Sequence, residues 1–296
     1  MPGKIIDGKQ VAAEIRAQLK DEVAELAKKG IVPGLSVILV GADPASKSYV
    51  TAKQKACREI GIYSDENILP AKTSQKELIS LIEKLNRNPK IHGILTQLPL
   101  PDHIDETEVL LAIDPAKDVD CFHPINVGKM VTGHKAFLPC TPHGIVQLLI
   151  KSGVKIEGAN IVIVGRSNIV GKPLANILIQ KSPLGNATVT VCHTRTKNIA
   201  EHTRKADIVI AAAGSPNTIT ADMIKNGAVV IDVGVNRVED PTKKNGYRLI
   251  GDVDFDKVKE KCSLITPVPG GVGPMTIAML LYNTVESAKQ AAGLLK

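Results

Sequence analysis

The chain has 296 residues, 44% hydrophobic and 23% charged, enough apolar content for one large or two ordinary globular cores, which excludes a disordered protein. Aromatic residues make up only 2%, with no Trp, so the core is aliphatic and the stacking platforms that single-stranded nucleic acid uses are scarce. The net charge of +7 is scattered among acids rather than bunched, which suits solubility or an anionic small ligand equally, and no nucleic-acid motif accompanies it.

Asp7 is placed to cap a first helix in which Val11, Ala12, Ile15, Leu19, Val23 and Leu26 recur at three- and four-residue steps, with Gly30 ending it. The short β-branched run 35–40, held between Gly34 and Gly41, reads as a buried strand. Asp43-Pro44 then turns the chain and Ser46 is expected to cap a second helix that ends near Gly61. That helix carries Tyr49 and Lys53 four residues apart, hence on one face, roughly 6 Å apart at Cβ. A phenol beside an amine at the carboxyl end of a strand is an acid/base candidate, although these residues alone favour an ordinary solvated helix face.

A strand near 67–69, a helix over 75–86 and a strand over 91–97 continue the alternation, which means a parallel sheet. Ligands of such sheets lie beyond the carboxyl ends of the strands, so Lys53 and Gln97 are candidates for one crevice. The two prolines of Gln97-Leu-Pro-Leu-Pro101 force an extended exit. Asp118 and Asp120 follow a short helix, and each alone reads as a cap or turn residue. Thr141-Pro142 is a helix start, a hydroxyl followed by Pro at the first helical position, and the domain transition is placed there.

Past Gly158, strand 161–164, the turn Gly165-Arg-Ser-Asn-Ile-Val-Gly171 and a helix over 172–180 form a glycine turn that offers backbone N–H groups and a positive helix end to a phosphate. Ser167 stands where the full dinucleotide fingerprint has its second Gly. Strand 187–191 leads to His193, Thr194 and Arg195, with no acid to bind ribose hydroxyls; with Arg166 these groups suit a 2′-phosphate, so NADP is favoured over NAD. Strands 207–213 and 228–233 end at Gly214 and Gly234 and complete a doubly wound domain. The segment 267–276 packs three prolines and three glycines ahead of a long helix over 277–292; such glycines permit close backbone approach.

Five cysteines without Cys-x-x-Cys spacing, namely Cys57, Cys121, Cys140, Cys192 and Cys262, fit a reducing compartment. No signal peptide and no apolar run of ~18 residues is present, so the expectation is a cytoplasmic protein without a membrane span. No metal spacing, Walker loop or Gly-x-Ser-x-Gly occurs, and Cys140-Thr-Pro-His143 without a second half reads as structural.

Taken together, Ser48-Tyr-Val-x-x-Lys53, Gln97-Leu-Pro-Leu100, Lys117-Asp-Val-Asp120, Pro139-Cys-Thr-Pro142, Val164-Gly-Arg-Ser-x-x-Val-Gly-x-Pro173 and Pro267-Val-Pro-Gly-Gly-Val-Gly-Pro-Met-Thr276 resemble the bifunctional methylenetetrahydrofolate dehydrogenase/cyclohydrolase family over essentially the whole chain. One departure is visible: the family usually has Gly after the second Asp, where this chain has Cys121. The resemblance implies two α/β domains flanking a cleft, the second Rossmann-type. Residues 1–140 would bind folate, 141–274 NADP, and 275–296 would return to the first domain. It further implies a homodimer acting on tetrahydrofolate derivatives, with no nucleic-acid or membrane partner and no metal.

Lys53, Tyr49 and Gln97 are the implied catalytic group, Lys53 as a neutral base held by Gln97 and Tyr49 as a positioning wall. Asp120, Pro269, Gly270 and Gly271 join them in holding folate. The implied cofactor residues are Thr141, Gly165, Arg166, Ser167, Val170, Gly171, His193, Thr194, Arg195, Gly214, Gly234, Val235, Gly273 and Thr276. A monofunctional relative, a shikimate-type dehydrogenase and a non-catalytic NADP-binding regulator are the alternatives.

Overall fold

The computed structural model describes residues 2–243 and 246–295. In chain order, β1 (Lys4–Ile5) precedes α1 (Gly8–Lys28), whose first turn is capped by Asp7 Oδ1 accepting from the Lys9 and Gln10 N–H groups. Next come β2 (Gly34–Val40), α2 (Pro44–Ile60), β3 (Tyr63–Leu69), α3 (Gln75–Arg87), β4 (Gly93–Thr96), α4 (Glu106–Ala112) and α5 (Pro124–Val131). The chain continues through α6 (Cys140–Lys151), β5 (Asn160–Val164), α7 (Gly171–Ile179), β6 (Thr188–Cys192), α8 (Ile199–Thr203), β7 (Ile208–Ala211) and β8 (Val229–Asp232). A hairpin of β9 (Asn236–Glu239) and β10 (Tyr247–Ile250), then α9 (Phe255–Lys259), β11 (Leu264–Ile265) and α10 (Val272–Ala291), complete it.

These elements form two compact units. Residues 13–140 and 277–296 make one, and residues 1–12 and 141–276 the other. The first twelve residues therefore group with the later stretch, because β1 pairs in parallel with β11.

The unit containing α2 is built on a three-stranded parallel sheet ordered β3-β2-β4. Ile38, Val40 and Ile94 pack with Leu78, Ile82, Ile104 and Val109 in its core. β3 is longer than the expected 67–69 because its pairing is polar: Ser36 Oγ donates to Asp65 Oδ2 at 2.8 Å and Asn67 Nδ2 donates to the same oxygen at 2.8 Å. A strand with exposed polar residues is what a sheet edge carries, and no alternation of apolar residues marks it in sequence.

The other unit has a six-stranded parallel sheet ordered β1-β11-β8-β7-β5-β6. Val162, Val164, Val209, Val230 and Ile265 lie in its buried aliphatic core. Strands that are buried on both faces read as continuous Val/Ile runs. With β6 on one flank of β5 and β7 on the other, the order reverses at β5, and the carboxyl end of that strand is the switch point.

Candidate active site

α2 starts directly beyond the carboxyl end of β2. Its cap is Asp43, whose Oδ2 accepts from the Ser46 N–H at 2.7 Å, with Pro44 at the first helical position. Ser46 is buried inside the first turn and is not the cap that the sequence pattern favoured. One turn further on, Tyr49 is 48% exposed while Lys53, on the same face, is only 8% exposed.

β4 lies beside β2 and runs parallel to it, so its carboxyl end delivers Gln97 to the same edge. Lys53 Nζ donates to Gln97 Oε1 at 2.9 Å, and Gln97 Nε2 donates to the Leu98 carbonyl at 2.9 Å. The second bond orients the amide so that its oxygen faces the amine. Asp120 is half-buried and interacts electrostatically with Lys53 and with the Cys140 thiol, whose Sγ donates to the neighbouring Val119 carbonyl at 3.4 Å. Asp118, by contrast, is a turn former: its carboxylate accepts from the Phe122 and His123 N–H groups and from Asn126 Nδ2.

Burial lowers the Lys53 amine from its ordinary value, against the opposing pull of Asp120, then Cys140 and Cys57. Asp120 moves the other way: desolvation raises it, Lys53 and the Cys140 thiol hold it down, and Asp118 adds to the rise. Burial pushes the Cys57 thiol up to about 12 and Cys140 well above its usual range, so both stay protonated. Cys140 is the member that sequence reasoning assigned to structure alone. Its helix-start position gave no sign of the contact with Asp120, whereas both residues sit in separate motifs of the resemblance.

In the other unit, the turn after β5 requires its glycines. Gly165 has φ +138°, and a Cβ there would collide with the Ala212 carbonyl oxygen, while one on Gly171 would collide with the Gly165 carbonyl. Ser167 has its own use in that turn, its Oγ accepting from the Val170 N–H at 3.1 Å. Val170 precedes α7 without a side-chain cap; the Lys172 N–H donates to the Ser167 carbonyl and Pro173 has none, so the Gly171 N–H is the first-turn group that faces an anion at the positive helix end. Beyond β6, His193 N donates to Thr196 Oγ1 at 2.9 Å and Arg195 N to His193 Nδ1 at 3.2 Å, a tight turn that leaves Thr194 and Arg195 exposed. The positive end of α7, exposed Arg166 and Arg195 and the absence of an acid at 192–196 fit a phosphorylated dinucleotide.

Gly214 has φ +67° with open space beside it, Gly273 is likewise open, and the Thr141 and Thr276 hydroxyls are 2.9 Å apart. Val235 is 50% exposed. The Pro269-Gly270-Gly271 loop packs onto the start of α1: Gly270 has φ +109° near Lys9, and a Cβ on Gly8 would collide with the Gly271 carbonyl. A Cβ on Gly271 would come within 2.6 Å of the Pro267 carbonyl oxygen, so this glycine is required by its own loop. α10 begins at Val272, five residues before the predicted start, because Pro274 falls in the first turn, where a missing N–H costs nothing. Among the described residues no group of His, Cys, Asp or Glu is placed to hold a metal ion.

The catalytic-domain model for tetrahydrofolate dehydrogenase/cyclohydrolase matches residues 6–120, and the NAD(P)-binding domain model of the same family matches residues 139–292. The chain belongs to the tetrahydrofolate dehydrogenase/cyclohydrolase family. As a member it is an oxidoreductase and hydrolase of one-carbon folate chemistry. It is 60% identical over 294 residues to the bifunctional protein FolD of Syntrophus aciditrophicus, covering 99% of this chain and 100% of that one. The bifunctional dehydrogenase/cyclohydrolase FolD structure from Campylobacter jejuni is 51% identical with a TM-score of 0.91, covering 97% of this chain and 99% of that chain. The Trypanosoma brucei FolD structure, described as complexed with NADP cofactor and inhibitor, is 43% identical with a TM-score of 0.93, covering 99% of each chain.

Lys53, Gln97 and Asp120 all fall within the family's catalytic-domain match, and the Gly165 turn and Arg195 within its NAD(P)-binding match. Cys121, the departure from the family pattern, lies one residue beyond the first match. It adopts φ +60°, the conformation that favours Gly, and is fully buried with its Sγ donating to the Phe137 carbonyl at 2.9 Å.

Proposed function

We propose that Lys53, held by Gln97, is the base of a two-step reaction in which 5,10-methylenetetrahydrofolate is oxidised with NADP to the methenyl cation and then hydrolysed to 10-formyltetrahydrofolate. The observation that carries this reading is the buried Lys53–Gln97 hydrogen bond of 2.9 Å with the Lys53 amine displaced toward neutrality.

Asp120 would accept from the pteridine amino and ring N–H groups, a paired donor set that matches a carboxylate. Two donors on Asp120 draw its charge away from Lys53, and the cationic methenyl carbon disfavours a nearby ammonium; both changes push Lys53 further toward the free amine. Neutral Lys53 then takes a proton from the water that adds to the methenyl carbon and returns it to the nitrogen that departs from that carbon, while the adduct's hydroxyl proton is released to solvent as the formyl C=O forms. Tyr49, exposed on the same helix face, supplies a wall for the folate ring. NADP supplies the hydride acceptor. His193, Thr194, Arg195 and Arg166 would hold its 2′-phosphate, and the Gly165 turn with the first turn of α7 its pyrophosphate. No base is needed for hydride loss itself, since the folate nitrogen lone pair drives it and the protein's part is alignment. The reading includes a cytoplasmic homodimer: the family resemblance supports the dimer, and five buried free thiols suit a reducing compartment.

Lys53→Met tests the proposal. Methenyl hydrolysis should fall by at least ~10²-fold while circular dichroism stays native, and the dehydrogenase should weaken through the disturbed site. Wild-type hydrolysis should rise with pH as Lys53 loses its proton, below the usual lysine range of 10.5, and the residual activity of the variant should lack that limb. Normal hydrolysis by the purified variant would remove Lys53 as the base.

A further inference from the structure

Beyond the ends of β7 and β8 lies a pair of buried carboxylates that neither the folate chemistry nor the phosphate sites account for. Asp232 is 2% exposed and Asp252 is fully buried. Asp232 Oδ1 accepts from the Asp252 N–H at 2.9 Å and the Gly234 N–H at 3.1 Å, and its Oδ2 from the Val253 N–H at 3.1 Å. Asp252 Oδ2 accepts from the Ala213 and Gly214 N–H groups at 2.7 and 2.8 Å, and its Oδ1 from Asn236 Nδ2 at 2.9 Å. The Asp232 N–H in turn donates to Thr266 Oγ1 at 2.7 Å. The segments after β7, β8 and β10 are thus tied to one another through two carboxylates, and Thr266 after β11 is tied to the Asp232 backbone.

The fit is close-packed. A Cβ on Gly234 would collide with the Asp252 carboxylate, and one on Gly251 with that of Asp232. Gly234 is therefore required by the carboxylate beneath it, a reason that adds to its place at the cofactor edge. Burying two neighbouring acids is costly, and desolvation with the charge of Asp252 raises Asp232 to about 7 despite its N–H partners. A device that expensive for stability points to a use elsewhere.

The sheet order says what the use is. A dinucleotide whose pyrophosphate sits at the β5 turn and whose 2′-phosphate sits at the end of β6 must run its other half the opposite way, over the ends of β7 and β8. Those ends are the Gly214 and Gly234–Val235 segments that the carboxylates hold. We infer that Asp232 and Asp252 are positioning residues for the nicotinamide half of the cofactor: they touch no reacting atom, and set the backbone against which the ring lies for hydride transfer. This rests on the NADP-dependent reading above.

The test uses full-length protein with Asp252→Ala and Asp252→Asn. The alanine variant leaves the Ala213 and Gly214 N–H groups without their acceptor. The asparagine variant keeps an amide oxygen for them and lets Asn236 flip to accept from its NH₂. Dehydrogenase kcat should fall about 100-fold in the alanine variant, the cost of a ~1 Å misplacement, and recover to within about 5-fold in the asparagine variant. By calorimetry NADP should bind more weakly to the alanine variant, while 2′,5′-ADP, which has no nicotinamide, should bind within about 2-fold of wild type. Cyclohydrolase turnover of added methenyltetrahydrofolate should be unchanged within about 2-fold, since its proposed base is elsewhere. Unchanged kcat in Asp252→Ala, or parallel loss of NADP and 2′,5′-ADP binding, overturns the inference. If Asp252→Ala does not fold, Asn236→Ala, which frees only Oδ1, must show the same split at about 5-fold in kcat, and its absence overturns the inference equally. An inactive wild type would defeat the folate reading, while the two binding measurements would still decide this one.

Discussion

The Asp120 loop shows how one residue can be both out of pattern and well accommodated. A non-glycine residue in the left-handed region costs about 1–2 kcal/mol. Cys121 offsets part of that by filling a buried site and by its 2.9 Å S–H bond to the Phe137 carbonyl. Burying a side chain of that size is worth roughly 1–1.5 kcal/mol, so the two effects nearly cancel. Cys121→Gly should therefore leave stability within about 1 kcal/mol of wild type, whereas Cys121→Ala, which keeps the backbone cost and loses the sulfur, should be destabilised by about 1–2 kcal/mol. Urea unfolding of both variants checks the order. An alanine variant more stable than the glycine one would mean that the backbone cost is not what this position carries.

At the scale of elements, α10 shows what apolar periodicity leaves out. Its inward polar residues are bonded to carbonyls that precede the site. Asn283 is 1% exposed, and its Nδ2 donates to the Val119 and Leu138 carbonyls at 2.7 and 2.9 Å. Ser287 Oγ lies 2.6 and 3.0 Å from the His92 and Ala116 carbonyls, with its proton shared between them. Val119 is the residue before Asp120, so α10 anchors the strand of chain that presents the carboxylate. Asn283→Ala removes the donor to the Leu138 carbonyl and leaves the Val119 carbonyl with only the weak Cys140 S–H at 3.4 Å, and should cost about 1–3 kcal/mol. The same variant should raise KM for the folate while leaving KM for NADP unchanged, because the loosened segment holds Asp120 and not the Gly165 turn. A stability loss with folate KM untouched would separate the helix from substrate binding.

For the whole molecule, much of the architecture was legible because it rests on local chemistry. Val/Ile runs bounded by glycine gave β2, β5, β7 and β8, and Asp7 before a helical pattern gave the start of α1. What was not legible depends on partners distant in sequence. The two-residue β1 is a strand only because β11 lies alongside it, and β3 hides behind polar residues. β9 and β10 are separated by residues 240–246 rather than by a two-residue turn, so the short-range hairpin signal of paired strands around such a turn is missing. Lys53, Gln97 and Asp120 were legible as motifs, yet their 2.9 Å bond and opposed proton affinities exist only in the fold. Asp232 and Asp252, each an ordinary acid at a strand end or in a loop, gave no sign of sharing a burial site.

The composition of the cofactor edge makes a further demand on the whole chain's stability. A ligand that binds only the folded protein stabilises it by RT ln(1 + [L]/Kd), about 2.7 kcal/mol at one hundred times Kd. For a unit of roughly 150 residues this corresponds to a rise in melting temperature of about 5–10 °C. NADP should produce that rise, and NAD at the same concentration less than about half of it, since only NADP carries the 2′-phosphate that Arg195 and Arg166 can meet. Arg195 is exposed, so its contribution should shrink with added salt, and the gap between the two cofactors should close as ionic strength rises. Arg195→Ala should close the gap at low salt as well, without altering the melting temperature of the unliganded protein. Equal shifts from NADP and NAD in the wild type would show that the turn beyond β6 does not select the cofactor, and differential scanning fluorimetry with both nucleotides at two salt concentrations decides the matter.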